Sequence, residues 1–143
     1  MAPRSIRVLV ADPDADCRKR VAGAVEAAAR ELDIVVKIDQ AGDGTTALAL
    51  WGDHKPDLVV CEVLLEGISG LELLRRVKEP RAAGSEPAPQ FVLVTTLARD
   101  VDRYWGLRNG AHLYVPKPFD DGNLRARVRK LLESGPSATP EVP

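Results

Sequence analysis

Asp12, Glu62, Thr95 and Lys117 each stand at the end of a short apolar run. Val8-Leu9-Val10-Ala11 leads to Asp12, and Leu58-Val59-Val60-Cys61 leads to Glu62. Phe91-Val92-Leu93-Val94 leads to Thr95-Thr96, and Leu113-Tyr114-Val115 runs through Pro116 to Lys117. In an open parallel sheet, side chains just past the carboxyl ends of the strands converge on a crevice. Two carboxylates, a hydroxyl and an ammonium gathered there could hold a phosphoryl group and a divalent cation. What Glu62 can do in that company decides the chemistry.

The elements that must position these residues alternate between strand and helix. Ile6–Ala11 is apolar apart from Arg7, as a strand covered on both faces should be. Asp14 stands where a helix N-cap belongs, and Cys17, Val21, Val25, Ala28 and Leu32 follow at helical spacing. Ile34–Asp39 reads as the second strand, and the AGDG turn leads into a short helix over Thr45–Trp51. Asp57–Glu62 is the third strand and Leu71–Lys78 the next helix, followed by a loop by composition at 79–89. Gln90–Thr95 is the fourth strand, and Arg99–Asn109 a helix ended by Gly110. His112–Val115 is the fifth strand. Asp120 or Asp121 then caps a last helix with Leu124, Val128, Leu131 and Leu132 on its apolar stripe. Five strands alternating with five helices predict a doubly wound α/β fold. Residues 1–133 would form the domain, and the tail SGPSATPEVP (134–143) a disordered segment or linker.

Bulk properties exclude several classes. A chain of 143 residues is long enough for one domain with its own core. A net charge of -1 argues against a general nucleic-acid or membrane-surface binder. No apolar run approaches the roughly 20 residues of a membrane span, and the start MAPRSIRVLV lacks a secretory leader's apolar region. Cys17 and Cys61 form neither a CxxC pair nor a zinc spacing. Each reads as a small buried residue in a reducing compartment, so the expected location is the cytoplasm.

Taken together, VLVADPDADCRKRV, AGDGTTAL, PDLVVCEVLLEGISGLELL, FVLVTT and GAHLYVPKPF resemble a response-regulator receiver domain (CheY-like) over about residues 5–133. The order and spacing of GLELL, the Thr that ends a strand and KPF carry that specificity. The resemblance implies a flavodoxin-like sheet of strand order 2-1-3-4-5. It also implies a third strand ending on an Asp that takes up a phosphoryl group. An acidic pair after the first strand would hold Mg²⁺, while a Thr hydroxyl and a Lys ammonium contact the phosphoryl group and relay its presence. Carried over, Asp12 is the first acid and Pro13 stands in place of the second. Glu62 stands at the phosphoacceptor position, Thr95 is the switch hydroxyl and Lys117 the site lysine. Tyr114 is the aromatic whose orientation follows the switch, Thr96 takes the access position, and Glu66 replaces a loop proline.

Two of these departures are chemical. A Glu carboxylate reaches about 1.5 Å further than Asp, and misplacement near 1 Å can slow a positioned reaction on the order of a hundredfold. Pro13 removes a carboxylate that should bind the metal, and magnesium tolerates incomplete cages badly. The expectation is therefore an atypical, phosphorylation-independent pseudo-receiver, an interaction module of bacterial signal transduction with no catalytic residue and no cofactor. Its rivals are a functional Mg²⁺-dependent phosphoacceptor regulator in a phosphorelay and a small-ligand-sensing pseudo-receiver. Glu62 could mimic the phosphorylated state, pair inertly with Lys117, or remain a poor phosphoacceptor. A mimic should draw Thr95 toward the site and turn Tyr114 inward; an inert pair should leave Tyr114 outward.

The remaining candidates have plainer readings beside the functional ones. Asp14 could replace the missing second acid, but N-capping is favoured. Asp12 is a remnant metal ligand that would pair with Lys117. His112 lacks acidic or Cys partners at metal spacing, and Cys61 should point to the core, away from Glu62. Arg125, Arg127, Arg129 and Lys130 read most simply as a solvated face; the alternative is that Arg125 and Arg129, with Arg99, Arg103, Trp105 and Arg108, mark a partner surface on the fourth helix, fifth strand and fifth helix. The expected partners are signalling proteins, or a second copy in a homodimer through that face, with no nucleic acid and no membrane bound by this domain. Periodicity leaves open whether Trp105 is exposed or packed on the sheet.

Overall fold

A computed structural model of the chain describes residues 4–79, 88–135 and 140–141. Most of the loop expected at 79–89, and most of the tail from 134 onward, lies outside the described residues. The strands are β1 (Ser5–Ala11), β2 (Val35–Ala41), β3 (Leu58–Cys61), β4 (Gln90–Thr95) and β5 (Leu113–Pro116). The helices are α1 (Ala15–Glu31), α2 (Gly44–His54), α3 (Gly70–Val77), α4 (Asp100–Arg108) and α5 (Asp121–Ser134). All four strand pairings are parallel, in the order β2-β1-β3-β4-β5. This is the flavodoxin-like arrangement that the strand–helix alternation and the resemblance predict.

Strand pleating sorts the core into two layers. Val8, Val10, Val60, Val92, Val94 and Val115 face α1 and α5. Leu9, Ala11, Val59, Cys61, Phe91 and Leu93 face α2, α3 and α4. β3 and β4 are buried along their whole length, which is why they read as continuous apolar runs without alternation.

Boundaries shift where pairing overrides local pattern. β2 runs two residues past Asp39 because Val10 and Ala11 supply partners for Gln40 and Ala41. α2 extends to His54, with Asp43 accepting a hydrogen bond from the Thr46 amide at its start. The helix expected over 99–109 runs Asp100–Arg108, with Arg99 and Asn109 as its caps. Asp120, of the two candidates, caps α5 through the Asn123 amide.

Candidate functional site

The parallel ladder delivers the four polar residues to one place. Beyond the last core positions, the Asp12 amide donates to Ala41 O at 3.0 Å and the Glu62 amide to Ala11 O at 3.0 Å. The Lys117 amide donates to Thr95 O at 2.8 Å. Sheet hydrogen bonding thus fixes the backbone of all four. The loop after β3 folds back closely: Gly70 N–H meets Val63 O at 2.8 Å. A Cβ on Gly70 would lie 2.3 Å from Glu62 O, so only glycine fits against the Glu62 carbonyl.

Asp12 and Glu62 are only 2% and 3% exposed, and Thr95 is fully buried. Buried carboxylates require compensation, and Lys117 supplies it to both. Its Nζ lies 2.7 Å from Asp12 Oδ2 and 2.8 Å from Glu62 Oε2. Burial pulls the Lys117 pKa down, but hydrogen bonds and charge from Asp12 and Glu62 together outweigh it and raise the pKa above the usual lysine range. The second Glu62 oxygen, Oε1, accepts from the Thr95 hydroxyl and from the Leu64 amide at 3.2 Å. One carboxylate therefore bridges the ammonium and the hydroxyl.

A chain of contacts leaves this centre through Thr95. Its Oγ1 accepts from the Leu97 amide at 3.2 Å, and Leu97 O accepts from the Tyr114 hydroxyl at 2.6 Å. Tyr114 is turned inward, 3% exposed, in the layer beneath α4. Burial, with the charges of Asp102 and Glu62, pushes its phenol up to about 12, so it is a neutral donor at ordinary pH. Gly106 makes the room: a Cβ there would sit 2.7 Å from Tyr114 Cδ2. Leu97 and Gly106 were not among the sequence candidates. A glycine in the middle of an otherwise helical stretch was the available signal; nothing in the sequence marks a backbone carbonyl at Leu97.

The other carboxylates have structural duties. Asp14 caps α1, its Oδ1 accepting from Asp16 N at 2.9 Å and from Cys17 N at 3.4 Å. Asp12 Oδ1 accepts from the Asp14 amide at 2.9 Å. Pro13 offers no side-chain donor. Among the described residues no three His, Cys, Asp or Glu side chains gather as a metal-holding group. The two buried carboxylates of the site, Asp12 and Glu62, are bridged by the one lysine. A recess of about 250 Å³ beside Lys117 is lined in part by Asp14, Cys17 and Thr96. Burial and the neighbouring Asp12 push the Cys17 thiol up to about 11, so it is no nucleophile there. Cys61 packs in the opposite layer, and burial raises its pKa further still.

His112 is buried, and its Nδ1 accepts from the Phe91 amide at 3.1 Å. The ring is part of the β4–β5 pairing at the far end of the sheet from Glu62. The residues proposed for a partner surface divide into groups. Trp105 is 53% exposed and packs edge-to-face on Tyr104 at 5.3 Å, with Val101 exposed one turn earlier. Arg108 is exposed on the same helix, and Arg99 pairs with Asp102 at 3.0 Å. Arg103 points to Glu141 at 3.4 Å. Arg125 and Arg129 instead lean toward Glu31 on α1, at 3.8 and 3.9 Å, so the structure does not bring them together with Trp105. Arg127, in contrast, turns to Glu141 alongside Arg103.

The family model for the response regulator receiver domain matches residues 8–129. The phosphate regulon regulatory protein PhoB of Pseudomonas aeruginosa is 31% identical over 136 residues, covering 95% of this chain and 56% of the relative. The response regulator PleD of Caulobacter vibrioides is 37% identical over 95 residues, covering 66% of this chain and 20% of the relative. The chain thus spans little more than half of one relative and a fifth of the other. Among solved structures, the BeF3-activated DrrB receiver domain from Thermotoga maritima superposes with a TM-score of 0.74 at 29% identity. That match covers 90% of this chain and 98% of the DrrB domain.

Proposed function

Because the chain belongs to the response regulator receiver domain family, we propose that it is an atypical receiver working without phosphorylation as a protein-interaction module. One observation carries this reading: the Glu62 carboxylate spans Thr95 Oγ1 and Lys117 Nζ at once. In a phosphorylated receiver these two groups contact phosphoryl oxygens. Here a permanent carboxylate takes two of those contacts, and the inward Tyr114 accompanies it. Of the three readings of Glu62, this geometry supports the mimic. The mimicry is partial, since a carboxylate carries one charge and two oxygens against about two charges and three oxygens.

In this reading no step of catalysis takes place and no metal is required. Attack on a phosphoryl donor needs a free, correctly placed carboxylate with a metal beside it. Glu62 is engaged at both oxygens, and Pro13 withholds the metal's second acid. The interaction would run through α4, where Val101, Tyr104 and Trp105 expose an aromatic and aliphatic patch next to Arg108. Tyr, Trp and Arg are the residue types that dominate protein-binding hot spots.

The test incubates the chain with acetyl phosphate and Mg²⁺ and reads intact mass, then compares partner capture with and without that treatment. No phosphoryl adduct, equal capture in both arms and loss of capture in Trp105→Ala are expected. A stoichiometric adduct, or capture that depends on it, would overturn the proposal.

A further inference from the structure

Glu141 lies outside the receiver's elements, yet it is tied to Arg103 of α4, to Arg127 of α5 and to His112 just before β5. Its amide donates to His112 O at 3.1 Å, extending the hydrogen bonding at the start of β5. Its carboxylate pairs through Oε1 with Arg127 on α5 and through Oε2 with Arg103 on α4, the latter at 3.4 Å. Beside Glu141, between the start of β5 and α5, lies a groove of about 280 Å³ lined by His112, Leu113, Arg127, Lys130 and Leu131, with Glu141 at its wall. The groove is basic, and the residue seated at it is acidic. A backbone hydrogen bond plus one acid shared by two arginines from different helices makes a directional clamp, beyond what an isolated surface ion pair supplies.

We infer that the surface over the beginning of β5, between Arg103 of α4 and Arg127 of α5, is a docking site for an acidic segment, and that its occupant is this chain's own Pro140–Glu141 segment. Seated there, the segment bridges α4 to α5 and covers the His112 end of the face. A partner that approaches the same end must displace it. That last consequence rests on the reading of this face as the partner surface; the docking itself does not.

Amide hydrogen exchange on the full chain, resolved by NMR, tests the docking. The Glu141 amide should exchange slowly in the wild type and lose about tenfold in protection in Glu141→Gln and in Arg127→Gln, each of which removes one charge of the clamp. Both positions lie outside the two core layers, so folding is retained, and the α1 and β3 amides serve as the internal reference. A Glu141 amide that exchanges at the unprotected rate in the wild type would overturn the docking. Protection unchanged in either variant would equally overturn the clamp. Failure of the partner-surface reading shows elsewhere, as capture indifferent to Trp105→Ala, so the two failures are distinguishable.

Discussion

At Glu62 one extra methylene changes what a carboxylate can reach. The longer side chain lets a group rooted at the end of β3 touch both the Thr95 hydroxyl and the Lys117 ammonium. Glu62→Gln keeps the shape and removes the charge, so the hydrogen bonds to Thr95 and Lys117 weaken. Stability to urea should fall by about 1–3 kcal/mol, the range for hydrogen bonds to charged groups. The Tyr114 ring resonances should shift toward solvent-exposed values in the same variant. His112 offers a second test at this scale. Burial, aided by the Lys78 charge, lowers its pKa from 6.5 to about 4, and its Nδ1 must stay unprotonated to accept from Phe91. The folded state thus resists a proton that the unfolded chain accepts. This contribution is complete above about pH 6.5 and is lost as the pH falls from there toward 4. The loss, at most about 3 kcal/mol, should appear in urea titrations between those pH values and be absent in His112→Gln.

At the scale of elements, the Glu62–Thr95–Leu97–Tyr114 path ends under α4, and Gly106 is the position where helix and ring meet. Replacing glycine by alanine inside a helix ordinarily stabilises by up to about 1 kcal/mol. Here the new Cβ would press on Tyr114 Cδ2 at 2.7 Å and Leu93 Cδ1 at 3.1 Å. Gly106→Ala should therefore destabilise by about 1–3 kcal/mol, as overpacking does, and push Tyr114 away from Leu97 O. Denaturant unfolding and the Tyr114 ring shifts check both halves of the prediction. A gain in stability with Tyr114 undisturbed would mean that α4 gives way freely. The same scale explains which helical residues face outward. α4 buries Gly106 and Leu107, which leaves Val101, Tyr104 and Trp105 on the opposite side.

For the whole molecule, the proposed function raises the question whether phosphoryl transfer can be built into this scaffold. The strand order is that of the receiver fold, so on the proposed reading the obstacle to phosphoryl transfer resides in the acids. Glu62→Asp alone shortens the carboxylate but leaves the metal with too few ligands. Glu62→Asp with Pro13→Asp supplies both. Intact mass after acetyl phosphate and Mg²⁺ should show little adduct in the single variant and clear accumulation in the double. Equal labelling of the two would mean that Pro13 does not matter. Among the described residues no helix is long and apolar enough to cross a membrane.

Much of this was legible before folding because it depends on local chemistry. Apolar runs that stop abruptly on Asp12, Glu62 and Thr95 mark strand ends, and the cap at Asp14 follows from its own side chain reaching the next amides. The alternation of strand and helix was enough to predict parallel pairing, since each crossover must return on one hand. Pairing partners, in contrast, decided the length of β2, because residues 40 and 41 have no intrinsic strand signal apart from β1. Only the tertiary structure exposed Trp105, which period counting could place on either face. It alone separated Arg127 from Arg125 and Arg129, because a long side chain goes to whichever acid lies within reach. Above all, it shows which groups Glu62 touches. The sequence put a carboxylate at the end of β3, but the choice between an inert pair and a bridge depends on where Thr95 and Tyr114 sit. Those are distances between strands far apart in the chain, and the packing of the sheet under α4 sets them.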